Sequence, residues 1–139
     1  MTTETKEKIS LDKFLELVKA KESVSRLKYE LDFAWNVENS SKLKDILADL
    51  TSANLNHANL NHADLNSADI SFVDLRSADL TSANLRFANL RFADLRYANL
   101  VFADLNYTNL RSADISHADL RSAKGTFFFN FGVRLQVKI

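Results

Sequence analysis

The chain has 139 residues, 46% of them hydrophobic, with 18 basic and 18 acidic side chains, so it has the size of one domain and no net charge to steer it toward nucleic acid or an anionic membrane. Without Cys it has no disulfide framework, thiolate zinc site or cysteine nucleophile, and its two Gly supply no phosphate-cradling loop. No run of 18 apolar residues suits a membrane span, and the opening MTTETKEKI lacks the apolar core of a secretory leader, so the expected location is the cytoplasm.

Composition divides the chain into residues 1–47, 48–125 and 126–139. The first segment carries nine acids and nine bases and reads as a helical cap behind disordered first residues. Residues 10–20 place Leu11, Phe14, Leu15 and Val18 on one helical face, with Ser10 as N-cap. Residues 22–35 repeat that spacing with Val24, Leu27, Leu31 and Trp35, which predicts a second helix. Residues 36–41 read as a turn, and 42–47 as a last helical turn carrying Leu43, Ile46 and Leu47.

From Ala48 to Ser122 the sequence divides without a gap into 15 pentads. The first position is Ala in 13 of them, with Val73 and Thr108 as exceptions; the third is Leu in 13, with Ile70 and Ile115; the second is always Asp or Asn. A period of five fits neither the 3.6 of a helix nor the 2 of a strand. A unit this short buries nothing alone, so the pentads must be sides of a larger coil that stacks on itself. Leu then lines the axis, Ala fills a crowded interior position, and the other three positions form an outer surface. Stacked rungs about 4.8 Å apart satisfy one another's N–H and C=O groups.

The Ala, Asp or Asn, Leu, X, X motif, over 75 of 139 residues, resembles the pentapeptide-repeat proteins. The resemblance implies a right-handed quadrilateral parallel β-helix of mainly β class, four pentads to a coil, with Leu and Ala inward. It also implies relatives that are in large part cyanobacterial and whose biochemical roles are mostly undefined. Fifteen pentads would make a rod of roughly 18 Å.

With four pentads per coil, residues 20 apart stack. One column of second positions then holds Asn54, Asp74, Asp94 and Asp114. Stacked carboxylates about 5 Å apart repel by roughly 0.8 kcal/mol in water, and Arg76 and Arg96 lie on the same face to neutralise them. A cation site at Asp74, Asp94 and Asp114 is the functional alternative to that solvated ladder, and the ladder is the expected state. No metal or other cofactor is expected. His57, His62 and His117 share the fifth position without a carboxylate constellation and read as surface residues.

The fifth position also carries Phe72, Phe87, Phe92, Tyr97, Phe102 and Tyr107, all predicted to point outward. Phe72 should stack on Phe92 and Phe87 on Tyr107, with Tyr97 and Phe102 on the remaining two faces. Stacking and cover from the terminal segments would shield this belt; a partner surface is the functional reading. Arg86, Arg91 and Arg96 stand beside Phe87, Phe92 and Tyr97. Single-stranded nucleic-acid binders use that juxtaposition, but the repeat carries nine Asp against six Arg and offers no continuous basic groove. The expected partner-binding set is therefore these six aromatics with the three Arg, and the partner a protein.

In the last segment Phe127, Phe129, Phe131, Val133, Leu135, Val137 and Ile139 alternate with Phe128, Asn130, Gly132, Arg134, Gln136 and Lys138, which is a strand period. A long apolar edge needs a cover, so Phe127, Phe129, Phe131, Val133 and Leu135 are the candidates for C-terminal homodimerisation. No nucleophile and base are brought together by the repeat, and an enzyme is not expected. The resemblance leads to a non-enzymatic structural or protein-interaction module. Its alternative is a DNA-mimicking inhibitor of DNA gyrase, which would need a long, strongly negative rod, whereas the repeat's net charge is only −3. A bare structural module from a larger parent is a third alternative.

Overall fold

The computed structural model describes residues 5–48 and 52–126. From Asn54 onward the backbone pairs with itself in parallel at a constant offset, Asn54 with Asp74, Asn59 with Asp79, and so on to Asp104 with Lys124. Four pentads therefore complete one coil, and the coil is four-sided.

The pentad Ala98–Phe102 shows why five residues suffice for a side. The Ala98 N–H closes a turn on Leu95 O at 3.0 Å, Asn99 donates to Ala78 O of the preceding coil at 2.9 Å, and Leu100 donates to Asp119 O of the following coil at 2.8 Å. Phe102 donates to Arg121 O at 3.2 Å. The remaining donor, Val101 N–H, is taken by the Asn99 side-chain Oδ1 at 3.1 Å. All five N–H groups of the unit are thus satisfied, one of them by a side chain. That bond recurs from Asn54 with Asn56 through Asp119 with Arg121. An acceptor two residues ahead of the fourth N–H is what restricts the second position to Asp or Asn. The expectation that this position is simply outer surface is corrected accordingly.

Every fifth position from Ser52 to Ser122 has a positive φ, between 54° and 61°. With the closing bond from the next Ala, this has the φ signs of a type II turn, whose third residue is ordinarily Gly or Asn. Here it is Ser, His, Phe or Tyr. A left-handed conformation costs a non-Gly residue about 1–2 kcal/mol, and β-branched residues suffer most. None occurs at the fifth position, whereas Thr81 and Val101 occupy the fourth.

Leu, Ile and Ala of the first and third positions fill one continuous core with the N-terminal apolar residues. The two exceptions at the first position are accommodated differently. Val73 is simply buried, while the buried Thr108 hydroxyl donates to Leu85 O at 2.7 Å, as a polar group inside a core requires.

The N-terminal segment contains β1 (Glu7–Ile9), α1 (Leu11–Lys19), β2 (Tyr29–Leu31) and α2 (Val37–Ala48), with β1 and β2 paired in parallel. Helix α1 begins as expected: Ser10 Oγ accepts from Lys13 N–H, and Phe14, Leu15, Leu17 and Val18 are buried. It ends in a Schellman motif, with Lys21 N–H on Val18 O and Glu22 N–H on Leu17 O. Lys21 takes the left-handed conformation itself, at φ 55°.

Residues 22–35 are not the second helix that their spacing predicts, and residues 36–41 are not a turn. The first stretch turns away at Lys21, bridges Ser25 to Ala58 and forms β2. Its apolar residues scatter, with Leu27 two-thirds exposed and Val24 and Trp35 buried. Phe14, Phe33 and Trp35 meet edge to face, with centroids 5.1 to 6.0 Å apart.

These elements replace the coil that would precede the first. Trp35 Nε1 donates to Asn59 O at 2.8 Å, Ser40 Oγ accepts from Asp64 N–H at 2.9 Å, and Arg26 N–H and its guanidinium both reach His57 O. The open rung is closed by these side chains together with the Arg26 backbone, where a further coil would use backbone alone. Among the described residues, no helix is long and apolar enough to cross a membrane.

The left-handed fifth position predicts that Ser82→Val lowers unfolding free energy by about 1–2 kcal/mol in urea denaturation, while Ser82→Gly is neutral or stabilising. Equal stabilities for both variants would contradict the conformational argument.

Candidate functional site

The second-position columns decide the surface charge. Where the second residue is Asp and the fourth Arg, the pair closes within the pentad. Arg76 reaches Asp74 at 2.6 Å, Arg96 reaches Asp94 at 2.7 Å, and Arg121 reaches Asp119 at 2.7 Å. Arg76 and Arg96 also lie 3.6 and 3.7 Å from the carboxylates of the following coil, Asp94 and Asp114. The column is an alternating Asp and Arg ladder, and the guanidiniums occupy the space a cation would need. The ladder expected from sequence is therefore the one formed.

Asp94 sits between two guanidiniums. The Arg96 side-chain hydrogen bonds hold its carboxyl below the usual range; partial burial opposes them, and the Arg96 backbone N–H and the two positive charges assist. The Arg96 guanidinium is raised in turn, chiefly by its bond to Asp94. At Asp104 burial pushes upward, but hydrogen bonds from the Asn106 backbone and side chain and the nearby Arg86 outweigh it, and the carboxyl is lowered.

The aromatic belt stacks as expected on two corners. Phe72 and Phe92 lie 4.9 Å apart at 13°, and Phe87 and Tyr107 lie 5.0 Å apart at 8°. Tyr97 stacks on His117 at 4.9 Å, a pairing given by the same offset of 20 residues. The described N-terminal residues do not shelter the rings. All six remain open to solvent, from 46% for Phe92 to 62% for Tyr97 and Phe102. Because the fifth positions mark the corners of the coil, the six residues encircle it. The structure brings them together as two adjacent ladders with two further corners, not as one patch.

The three expected Arg differ. Arg96 is tied into the acidic ladder. Arg86 lies over Phe87, 5.7 Å from its centroid, and reaches Asp104 at 3.5 Å. Arg91 lies over Phe92 at 5.3 Å and follows Asn89, which offers no carboxylate. Sequence reasoning passed over Arg111, one coil further on the same face. The signal was available: Arg111 follows Asn109, and Asn109 stacks on Asn89. The proposed self-association residues Phe127, Phe129, Phe131, Val133 and Leu135 lie outside the described residues.

A family model described as pentapeptide repeats, in eight copies, matches residues 47–82 and 83–122. The chain belongs to the pentapeptide-repeat family. Among solved structures of the family, one from the cyanobacterium Cyanothece 51142 is 33% identical over 58% of this chain and 63% of its own, with a TM-score of 0.44. One from the Arabidopsis thaliana thylakoid lumen is 28% identical over 55% and 57%, with a TM-score of 0.35. A third, from Nostoc Pcc 7120, is 34% identical over 74% of this chain and 96% of its own, with a TM-score of 0.37. The chain thus spans less than two thirds of the length of the first two. No match is found among curated proteins.

The lowered Asp94 carboxyl gives the pentapeptide-repeat coil a defined acid sensitivity. The stability that Asp94 contributes is complete above its ordinary value of 3.8 and is lost as pH falls through its lower folded value, because the unfolded chain then binds the extra proton. Urea unfolding followed from about pH 5 to about pH 2 should show a steeper loss for wild type than for Asp94→Asn, which keeps the turn acceptor without the charge. Parallel losses would refute the assignment.

Proposed function

We propose that the chain is a non-enzymatic protein-interaction module, a right-handed β-helix in the manner of its family, whose aromatic and arginine corners meet a protein partner. The observation that carries this reading is the placement of six large rings at left-handed positions where they stay about half exposed. Ser at Ser77 and Ser82 makes the same turn. The rings therefore add little that the turn requires, and each exposes apolar surface that a soluble protein ordinarily avoids. Bulky residues held at strained positions by a rigid frame point to recognition. Stacking fixes the orientation of five of them, all but Phe102, before any partner arrives, which lowers the entropy lost on binding.

Gyrase inhibition by DNA mimicry is the weaker alternative. Mimicry asks for a continuous negative surface, whereas five of the eight described Asp of the repeat lie in ion pairs with Arg.

Affinity capture from native lysate should retain a partner on wild type and lose it on Phe87→Ser, Phe92→Ser, Phe102→Ser, a variant whose new residues already serve elsewhere in the coil. Identical captures would overturn the assignment to the aromatic corners. A supercoiling assay should show no inhibition at micromolar protein, and inhibition would favour mimicry instead.

A further inference from the structure

The Asp or Asn choice at the second position leaves one face unlike the others. Among the described residues its column reads Asp69, Asn89, Asn109, with Asp69 paired to Asn89 and Asn89 to Asn109 across coils. Asn89 Nδ2 donates to Asp69 at 3.1 Å, so the one carboxylate of the column among the described residues is already engaged. The fourth positions beside Asn89 and Asn109 are Arg91 and Arg111, both exposed. Their backbone N–H groups bond to the Asn side chains at 3.3 and 3.2 Å, as the turn requires. Their guanidiniums have no carboxylate partner among the described residues, unlike those of Arg76, Arg86, Arg96 and Arg121.

The Phe92 N–H bonds to Arg111 O, which puts the two Arg one coil apart in register. Two like charges about 4.8 Å apart in rung spacing repel unless an anion lies between them. Arg91 lies against Phe92, and Phe92 stacks on Phe72, so the paired donors border an exposed apolar ladder.

We propose that Arg91 and Arg111, with the Phe72 and Phe92 ladder, form a docking site for an acidic segment of a protein partner, one that carries carboxylates beside an aromatic or apolar side chain. The proposal rests on the protein-interaction reading above and gives its partner a chemistry. Guanidinium forks pair carboxylates bidentately, and the adjacent rings receive the apolar neighbour. A nucleic-acid strand fits less well. Polyanion binding draws on many phosphates in sequence, and on the neighbouring face Arg76 and Arg96 are already held by Asp74, Asp94 and Asp114, so the basic surface does not continue.

The test is a titration of the full chain, isotopically labelled, with the blocked peptide Phe-Glu-Glu and its neutral analogue Phe-Gln-Gln, followed by NMR on the arginine Nε–Hε signals. Phe-Glu-Glu should move the Arg91 and Arg111 signals saturably, leave those of Arg76, Arg96 and Arg121 in place, and bind at least tenfold more tightly than Phe-Gln-Gln. The Arg91→Gln, Arg111→Gln variant should lose that preference while keeping its dispersed spectrum. Equal binding of both peptides at the rings would overturn this proposal and leave the aromatic reading standing. Absence of binding by either peptide, or an oligothymidylate that moves the same signals more tightly than Phe-Glu-Glu, would also overturn it. Loss of the aromatic reading itself would show in the capture experiment with the Phe variant, which leaves both Arg intact.

Discussion

The fourth N–H of each pentad is the donor on which the rest of the structure depends. Cross-coil pairing satisfies three donors per unit and the turn closes a fourth, which leaves one group that backbone geometry cannot reach. The Asp or Asn two residues earlier takes it in every described pentad from Asn54 to Asp119. With that bond made, a side of only five residues can turn a corner and return to register. The small first residue and the left-handed fifth residue are consequences of the same tight corner.

Asp and Asn are equivalent as acceptors in this turn and opposite in what they do to the surface. An Asp neutralises the Arg that follows it, as at Asp74 with Arg76; an Asn leaves the Arg to a carboxylate of the next coil, as Arg86 after Asn84 reaches Asp104, or open where the next coil also has Asn, as at Asn89 with Arg91. The alternation therefore sets the charge of each face without altering the coil. The fifth position has a similar freedom, since Ser, His, Phe and Tyr all make the same turn. The chemistry of the surface in such a molecule is set at the second, fourth and fifth positions, on a frame that the first and third positions and the turn hold constant.

Much of this was legible from the period. Leu and Ala inward and the Ser10 cap follow from spacing and residue type, while the 20-residue columns and the stacks of Phe72 on Phe92 and Phe87 on Tyr107 follow from the four-sided coil that the family resemblance implied. Three features did not. The role of Asp and Asn was hidden because an invariant polar position looks like solvent exposure until the donor it serves is seen. The left-handed corner left only a negative signal, the missing β-branched residues at the fifth position. The false helix at 22–35 arose because its apolar spacing was helical, while the stop at Lys21 lacks the Gly that usually marks a Schellman motif. Of the surface, the aromatic corners and Arg91 were visible in sequence. Arg111 emerges only when the identity of its second-position neighbours is considered across coils.

The central claim, that the second-position side chain is the acceptor for the fourth N–H, is tested most directly by hydrogen exchange at Val101. In wild type the Val101 amide should be protected by Asn99 Oδ1, and in Asn99→Ala it should exchange much faster while Leu100, bonded to Asp119 O, stays protected. A Val101 amide that exchanges equally in both proteins would contradict the account.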